Sequence, residues 1–163
     1  MLLCFIRHGI AEHPSAHVTD AERALTSEGV RAMECAAAGI ARLRLGIGGI
    51  VTSPLVRARQ TAGIVGEALG LDRRISVAEE LDGRFCLAGL QRLLAGRPEE
   101  RALALVGHEP TFSITVADLI GGGDVEIKKG SLAVVETERA EPGAGVLRML
   151  LPPSVLRELG GRG

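Results

Sequence analysis

Two short runs of apolar residues, far apart in the chain, each end abruptly. Residues 2–6 are apolar throughout and stop at Arg7, and residues 103–106 are apolar throughout and stop at Gly107. Runs of this length without polar alternation are typical of strands buried on both faces of a parallel sheet. Ligands bind at the carboxyl ends of such strands, so we expect His8 and His108 to lie in one crevice.

Helical and strand patterns alternate along the rest of the chain. Apolar residues three and four apart predict helices from Thr26 or Ser27 to about Arg44, from the capping pair Ser53-Pro54 to Gly70, over Leu87–Leu94, and from Pro110-Thr111 to the glycines at 121–123. Further strands are predicted at Ile50–Thr52, Ser131–Thr137 and Val146–Leu151, and the tail 152–163 predicts a short helix with a frayed, glycine-rich end.

This alternation predicts an α/β fold, a three-layer helix/sheet/helix sandwich with βαβ crossovers. The central sheet is expected to be mostly parallel, with an antiparallel strand near the C-terminus, because a turn-rich segment at 141–145 joins the last two strands. A chain of 163 residues with 46% hydrophobic content buries one sizeable core, so we expect one domain over residues 1–163.

Composition argues against nucleic-acid and membrane functions. Lys and Arg (19) balance Asp and Glu (20), Trp and Tyr are absent, and three Phe remain, so neither a basic surface nor a base-stacking surface is indicated. The apolar stretches are far too short to span a membrane. Cys4, Cys35 and Cys86 are odd in number and form no CxxC pair, which is typical of reduced thiols. We therefore expect a cytoplasmic protein.

A cationic residue at the start of a helix adds to the chemistry of the predicted crevice. Arg57 falls in the first turn of the helix after Ile50–Thr52, where free N–H groups already favour anions. If the three strands are neighbours, Arg7, His8, Arg57 and His108 converge on a site for a phosphoryl group that needs no metal. A neutral His8 could attack phosphorus, while the guanidiniums and a protonated His108 stabilise the oxygens.

Four sequence blocks resemble the motifs of one enzyme family. Arg7-His8-Gly9 resembles the RHG signature of the histidine phosphatase superfamily, which includes the cofactor-dependent phosphoglycerate mutases. Leu25–Gly29 is similar to its LTxxG helix start, Ser53–Ala62 to its SPLxRxxQTA block, and Val106–Pro110 to its GHxP block. A lone RHG recurs by chance, whereas four blocks in the right order make a specific match.

The resemblance implies a phosphoglycerate mutase-like fold and a phosphohistidine intermediate on His8, with no cofactor or metal. It implies that Arg7, Gly9, Arg57 and His108 bind the phosphoryl group. The family commonly takes a proton for the leaving group from a carboxylic acid, for which Glu80 is the positional candidate and Glu79 and Asp82 are rivals. A phosphohistidine leaving group departs as a neutral imidazole and has less need of such an acid.

Among subfamilies the chain resembles the short SixA-type phosphohistidine phosphatases. Larger relatives carry a long insertion that roofs the pocket, whereas only 71–101 is available here. An open pocket suits a phosphorylated side chain on a partner protein, for example a phosphotransfer domain, with phosphate as the product. Two other functions remain open: a small-molecule phosphatase or mutase of the same superfamily, and a relay module that passes the phosphoryl group on without hydrolysis.

Other motifs favour simpler interpretations. His13 and His17 are spaced for a metal, but the proline between them favours a solvated loop. The C-x5-R spacing of Cys86 and Arg92 fits cysteine-dependent phosphatases, but it lacks the preceding strand and the glycine-rich cradle. The glycines at 121–123 are not followed by the Lys of a P-loop and favour a helix stop.

Overall fold

A six-stranded sheet runs through the centre of the protein, as seen in a computed structural model that describes residues 1–14, 16–97 and 99–161. Its strands are β1 (Leu2–Arg7), β2 (Gly49–Thr52), β3 (Ile75–Val77), β4 (Ala102–Gly107), β5 (Leu132–Thr137) and β6 (Gly145–Leu151), and their order across the sheet is β3-β2-β4-β1-β5-β6. The first four strands are parallel, and β5 is antiparallel to both β1 and β6. The predicted mixed sheet is confirmed.

Helices cover both faces of this sheet. They are α1 (Ser27–Arg42), α2 (Val56–Leu69), α3 (Leu87–Ala95), α4 (Thr111–Ile120) and α5 (Pro153–Gly160), with short 3-10 helices at Asp20–Glu22, Asp72–Arg74 and Glu79–Leu81. Helix α1 packs on α2 and α5 on one face, and α3 packs on α4 on the other. The predicted three-layer α/β architecture is therefore confirmed.

The apolar run in β1 is explained by two cores, one on each face of the sheet. Leu3 and Phe5 point into the core with α3 and α4, whereas Cys4 and Ile6 point into the core with α1, α2 and α5. Phe5 meets the ring of Phe112 edge-on, with centroids 5.3 Å apart. Burying each large apolar side chain of this kind stabilises the fold by roughly 1.5–3 kcal/mol.

Helix α1 begins and ends close to the predicted residues. Its cap is Thr26, whose hydroxyl accepts a hydrogen bond from the Gly29 N–H at 2.9 Å, and its last residue is Arg42 instead of Arg44. A side chain at Gly29 would place its Cβ 2.1 Å from the carbonyl oxygen of Ile10. The close approach at Gly29 brings α1 directly against the loop that follows β1.

Two predictions were wrong in detail. Helix α2 begins at Val56 with Leu55 as its cap, so Ser53 and Pro54 do not open the helix. Strand β3 was not predicted, because three half-exposed residues that pair only with β2 leave no clear pattern. The single domain over residues 1–163 stays a prediction, and the expected frayed end includes Arg162 and Gly163, which lie outside the described residues.

The strand order decides where the pocket forms. Strand β4 lies between β1 and β2, so the carboxyl ends of the three strands meet at one edge of the sheet. Arg7 pairs with Gly107 in the register of β1 and β4, which puts the residues after both strands side by side. Within the described ranges, none of the helices is long and apolar enough to cross a membrane.

Candidate active site

His8 and His108 face each other at the carboxyl ends of β1 and β4. The His8 N–H donates to the carbonyl of Gly107 at 3.1 Å, which ties the two strand ends together. The ring centroids are 5.1 Å apart and the ring planes are inclined by 55°. Both residues are buried, with exposed fractions of 8% and 5%. The structure thus brings together the two predicted histidines.

The ring of His8 is held so that one nitrogen is left as a nucleophile. Nδ1 lies 2.7 Å from the carbonyl oxygen of Gly9. A carbonyl only accepts, so Nδ1 carries the hydrogen and Nε2 keeps its lone pair. Burial lowers the pKa of His8 to about 3. The bond to Gly9 acts in the opposite direction, and the smaller effects of His108, Arg57 and Arg7 lower the pKa further. His8 is therefore a neutral imidazole at neutral pH.

His108 is fixed by a serine that we had expected to cap a helix. Its Nε2 and the hydroxyl oxygen of Ser53 form a hydrogen bond of 2.7 Å. Nδ1 is buried and has no hydrogen-bond partner among the described residues. Burial, followed by the charge of Arg57, lowers the pKa of His108 to about 4. The ring is therefore neutral at neutral pH without a phosphoryl group beside it, and its protonated form during phosphoryl transfer stays a prediction.

Two guanidiniums supply the positive charge of the site. Arg57 is the second residue of α2, and its side chain is only 9% exposed. Arg7 ends β1 and donates from Nη1 to the carbonyl of Ile127 at 2.9 Å. Burial lowers the pKa of Arg7, but a group with an ordinary value near 12.5 stays charged. Both predicted arginines lie near the histidines, since each lowers the pKa of His8 and of His108.

Both backbone polar groups of Gly9 form hydrogen bonds within the protein. Its carbonyl accepts the bond from His8, and its N–H donates to the hydroxyl of Thr61 at 3.2 Å. The Thr61 hydroxyl donates in turn to the carbonyl of Arg57 at 2.8 Å. Gly9 thus links the His8 ring to α2, and its contact with substrate stays a prediction. Thr61 was not singled out from the sequence, although it lies in the Ser53–Ala62 block.

An acidic residue that the sequence did not single out lies against Arg57. The Asp20 carboxylate accepts from Arg57 Nη2 at 2.9 Å and from Arg23 Nη1 at 2.6 Å. The backbone carbonyl of Asp20 accepts from Arg57 Nη1 as well. Asp20 begins the 3-10 helix Asp20–Glu22 and Arg23 follows it. This stretch has no apolar periodicity, so only the three-residue spacing of Asp20 and Arg23 hinted at an ion pair.

The three acid candidates of the sequence have different surroundings. Glu80 is half-buried in the 3-10 helix Glu79–Leu81, which contacts β4, and Glu79 is exposed. The Asp82 carboxylate accepts from the Arg84 N–H at 2.8 Å and also pairs with the Arg84 guanidinium. The charge of Asp82 raises the pKa of His108, so Asp82 is electrically coupled to the site. The role of Glu80 as an acid stays a prediction.

Glu109 is a further carboxylic acid beside the site. It directly follows His108, and its Oε1 is buried without a hydrogen-bond partner among the described residues. Burial raises the pKa of Glu109, whereas Ser113 and Arg7 lower it less strongly. In the sequence, the only indication that Glu109 lies near the site was its position between His108 and Pro110.

The alternative motifs lie outside this cluster. Cys86 is an exposed thiol that caps α3 and is not preceded by a strand, so it lacks the setting of a cysteine-dependent phosphatase. His13 and His17 are exposed. In the part of the chain that the structure describes, no three His, Cys, Asp or Glu residues are grouped so that they could hold a metal ion.

Comparison with known families assigns the chain. The model of the histidine phosphatase superfamily (branch 1) matches residues 3–86. An uncharacterized protein of Picosynechococcus sp. is 40% identical over 119 residues, which cover 68% of this chain and 67% of that protein. The chain therefore belongs to the histidine phosphatase superfamily.

Solved structures with the same fold include SixA proteins. The protein histidine phosphatase SixA complexed with tungstate has a TM-score of 0.84 and 24% identity over 94% of this chain and 98% of that one. A proposed phosphohistidine phosphatase SixA from Agrobacterium tumefaciens has a TM-score of 0.79 and 26% identity over 93% and 97%. A mycobacterial glucosyl-3-phosphoglycerate phosphatase has a TM-score of 0.72 and 18% identity over 93% and 99%.

Proposed function

We propose that this protein is a metal-independent phosphatase that hydrolyses phosphohistidine in a partner protein. The observation that carries the proposal is the state of His8, a neutral ring whose Nδ1 is tied to Gly9 and whose Nε2 is left to attack. The buried Arg57, the half-buried Arg7 and the second histidine, His108, all lie close enough to the His8 ring to shift its pKa. A phosphoryl group needs such charge stabilisation on its oxygens during transfer.

In the first step of the proposed reaction, His8 Nε2 forms a bond to phosphorus. The bond from phosphorus to the partner's imidazole nitrogen breaks, and its electron pair stays with that imidazole. If the other ring nitrogen of the partner is already protonated, the partner leaves as neutral histidine. Arg7 and Arg57 neutralise the oxygens, and the dianion raises the pKa of His108 towards a form that donates a hydrogen bond.

Water completes the proposed cycle. Its oxygen attacks phosphorus, the bond to His8 Nε2 breaks, and the electron pair returns to the ring. The protons of water end on the phosphate product and the surrounding solvent. The short bond from Nδ1 to Gly9 keeps the ring in the same tautomer through both steps, because a carbonyl stabilises only the protonated Nδ1.

The choice of a protein substrate is supported by the short segment after α2. It holds two 3-10 helices, the three-residue β3 and the nine-residue α3, which is little material to enclose a small ligand. The similarity to the Agrobacterium SixA protein favours the same substrate class. The free cysteines Cys4, Cys35 and Cys86 are consistent with a place in the reducing cytoplasm, which we include in the proposal.

A comparison of substrates tests this proposal. The value of kcat/KM for a phosphohistidine-bearing phosphotransfer domain should exceed that for phosphoglycerate, a sugar phosphate and free phosphohistidine by about 10²-fold, since contacts outside the pocket add about 3 kcal/mol. The rates should be the same with EDTA present. Equal efficiency on small esters would instead favour a small-molecule phosphatase, and transfer without release of phosphate would favour a relay module.

A further inference from the structure

The Asp20 carboxylate uses the same guanidinium that the proposed reaction needs for phosphate. Both terminal nitrogens of Arg57 are engaged by Asp20, Nη2 by the carboxylate at 2.9 Å and Nη1 by the backbone carbonyl. The carboxylate also raises the pKa of His108, so its negative charge acts on the second histidine of the site. An anion of this chain therefore lies where the substrate's anion is expected to bind.

We propose that Asp20 competes with the phosphoryl group for Arg57 and so weakens the hold of the pocket on its phosphate product. This inference rests on the proposed phosphatase function and concerns the same site. A pocket with two arginines binds phosphate tightly, and tight binding of product slows turnover. A carboxylate that returns to Arg57 when phosphate leaves lowers that affinity.

The alternative role, in which the carboxylate holds Arg57 in position, is disfavoured by the second contact. The carbonyl of Asp20 is part of the backbone, so its bond from Arg57 Nη1 survives any change of the Asp20 side chain. The Arg57 side chain is also buried at the start of α2, where its stem is packed. Arg57 is thus fixed without the carboxylate, and the carboxylate mainly contributes charge.

The Asp20 side chain has a second partner that lets it release Arg57 at low cost. Its Oδ1 accepts from Arg23 Nη1 at 2.6 Å, and Arg23 is itself anchored by a bond from Nε to the carbonyl of Glu12 at 2.7 Å. The Asp20 side chain is 64% exposed, so water replaces the lost bond when it turns away from Arg57. The pair of Asp20 with Arg23 remains while Arg57 binds phosphate.

Removing one charge without changing the shape of the side chain tests the competition. Asp20→Asn keeps an oxygen that accepts from Arg57 and removes the negative charge. The matched control is Asp72→Asn, because Asp72 is also an exposed first residue of a 3-10 helix but precedes β3 at the opposite edge of the sheet. Inorganic phosphate is titrated into each protein by calorimetry, and its inhibition constant is measured during hydrolysis of p-nitrophenyl phosphate.

The competition predicts tighter binding of phosphate in one variant only. The Kd for phosphate should fall about tenfold in Asp20→Asn, equivalent to about 1.4 kcal/mol, and stay unchanged in Asp72→Asn. The Kd for phosphate should also fall in Asp20→Ala, since this substitution removes the same negative charge. The inhibition constant should follow the Kd.

The other outcomes separate this inference from the proposed function. An unchanged Kd in Asp20→Asn overturns the competition, and a weaker Kd shows that the carboxylate positions Arg57. Either result leaves the phosphatase proposal standing as long as the wild-type protein binds phosphate in an Arg57-dependent way. If neither the wild-type protein nor Asp20→Asn binds phosphate, the competition and the proposed function both fail.

Discussion

The ends of β1 and β4 and the segment after α2 are coupled, since Asp82 raises the pKa of His108, but they are built in different ways. At the ends of β1 and β4, His8 and His108 are buried and each ring has a hydrogen-bond partner at 2.7 Å. In the segment at 71–101, Glu79 is exposed and Asp82 pairs with an exposed arginine. The groups that we propose for binding and attack are fixed by hydrogen bonds and burial, whereas Glu79 and Asp82, two of the three candidates for protonating a leaving group, lie in more exposed surroundings.

The difference indicates which part of the chemistry the protein controls. Preorganised charge acts strongly because it needs no rearrangement during the reaction. The pKa of Asp82 is lowered, first by its bond from the Arg84 N–H, so this carboxylate holds no proton at neutral pH. A substrate that leaves without an enzyme acid, as phosphohistidine can, suits such a site.

The largest effect is expected at His8, which follows β1. His8→Ala should lower kcat by about 10⁴-fold or more, because the covalent step is lost. Rapid quenching of the wild-type protein with labelled substrate should trap an acid-labile, base-stable phosphoryl group that is absent from the variant. His13→Ala, a change of an exposed histidine, should behave like wild type. A trapped group that survives in His8→Ala would place the nucleophile elsewhere.

The next prediction compares the loss of activity on substitution of the buried Arg57 with that on substitution of Cys86, the cysteine of the C-x5-R motif. Arg57→Ala should lower kcat by about 10²–10³-fold, the usual result of removing one group that stabilises transition-state charge. Arg59→Ala, on an exposed turn of the same helix, controls for loss of an arginine from α2. Steady-state kinetics of Cys86→Ser should match those of wild type. If the cysteine variant is the weaker enzyme, the site belongs at Cys86 and Arg92.

A third prediction uses pH to test whether the rings of His8 and His108 are held neutral by burial. The pKa values of His8 and His108, about 3 and about 4, lie below the ordinary 6.5, so the unfolded chain binds more protons as the pH falls from 7 to 5. The free energy of unfolding is therefore highest above pH 6.5 and should decrease by about 1–2 kcal/mol per histidine over this range.

Urea unfolding at pH 7 and pH 5 measures this dependence. In His108→Asn about half of the decrease should remain, because one of the two buried rings, His8, is still present. A free energy of unfolding that is the same at both pH values in the wild-type protein would show that neither ring is held neutral by burial.

The smallest effect is expected in the segment at 71–101. Glu80→Gln should slow hydrolysis of an alkyl phosphate by about fivefold and of phosphohistidine by less than about twofold, since an alkoxide needs a proton more than an imidazole does. Asp82→Asn is the neighbouring control and should not discriminate between the substrates. Equal losses on both substrates in Glu80→Gln would give Glu80 a binding or structural role.

Much of this molecule was predictable because burial leaves a local pattern. The apolar runs in β1 and β4 predicted strands buried on both faces, and the spacing of apolar residues predicted α1, α3 and α4 closely. The sequence blocks predicted that His8, His108, Arg7 and Arg57 belong together, and the strand order brings them to one edge of the sheet.

The sequence alone indicated most of the alternating elements and the residues that we propose carry the chemistry, since both depend on residue type and short spacing. Only the tertiary structure decided that Ser53 meets His108 and that Asp20 meets Arg57, because these pairs join segments 55 and 37 residues apart. It also decided that both histidines are neutral. A pKa depends on how much water and charge the folded chain leaves around a ring, and no local pattern records that.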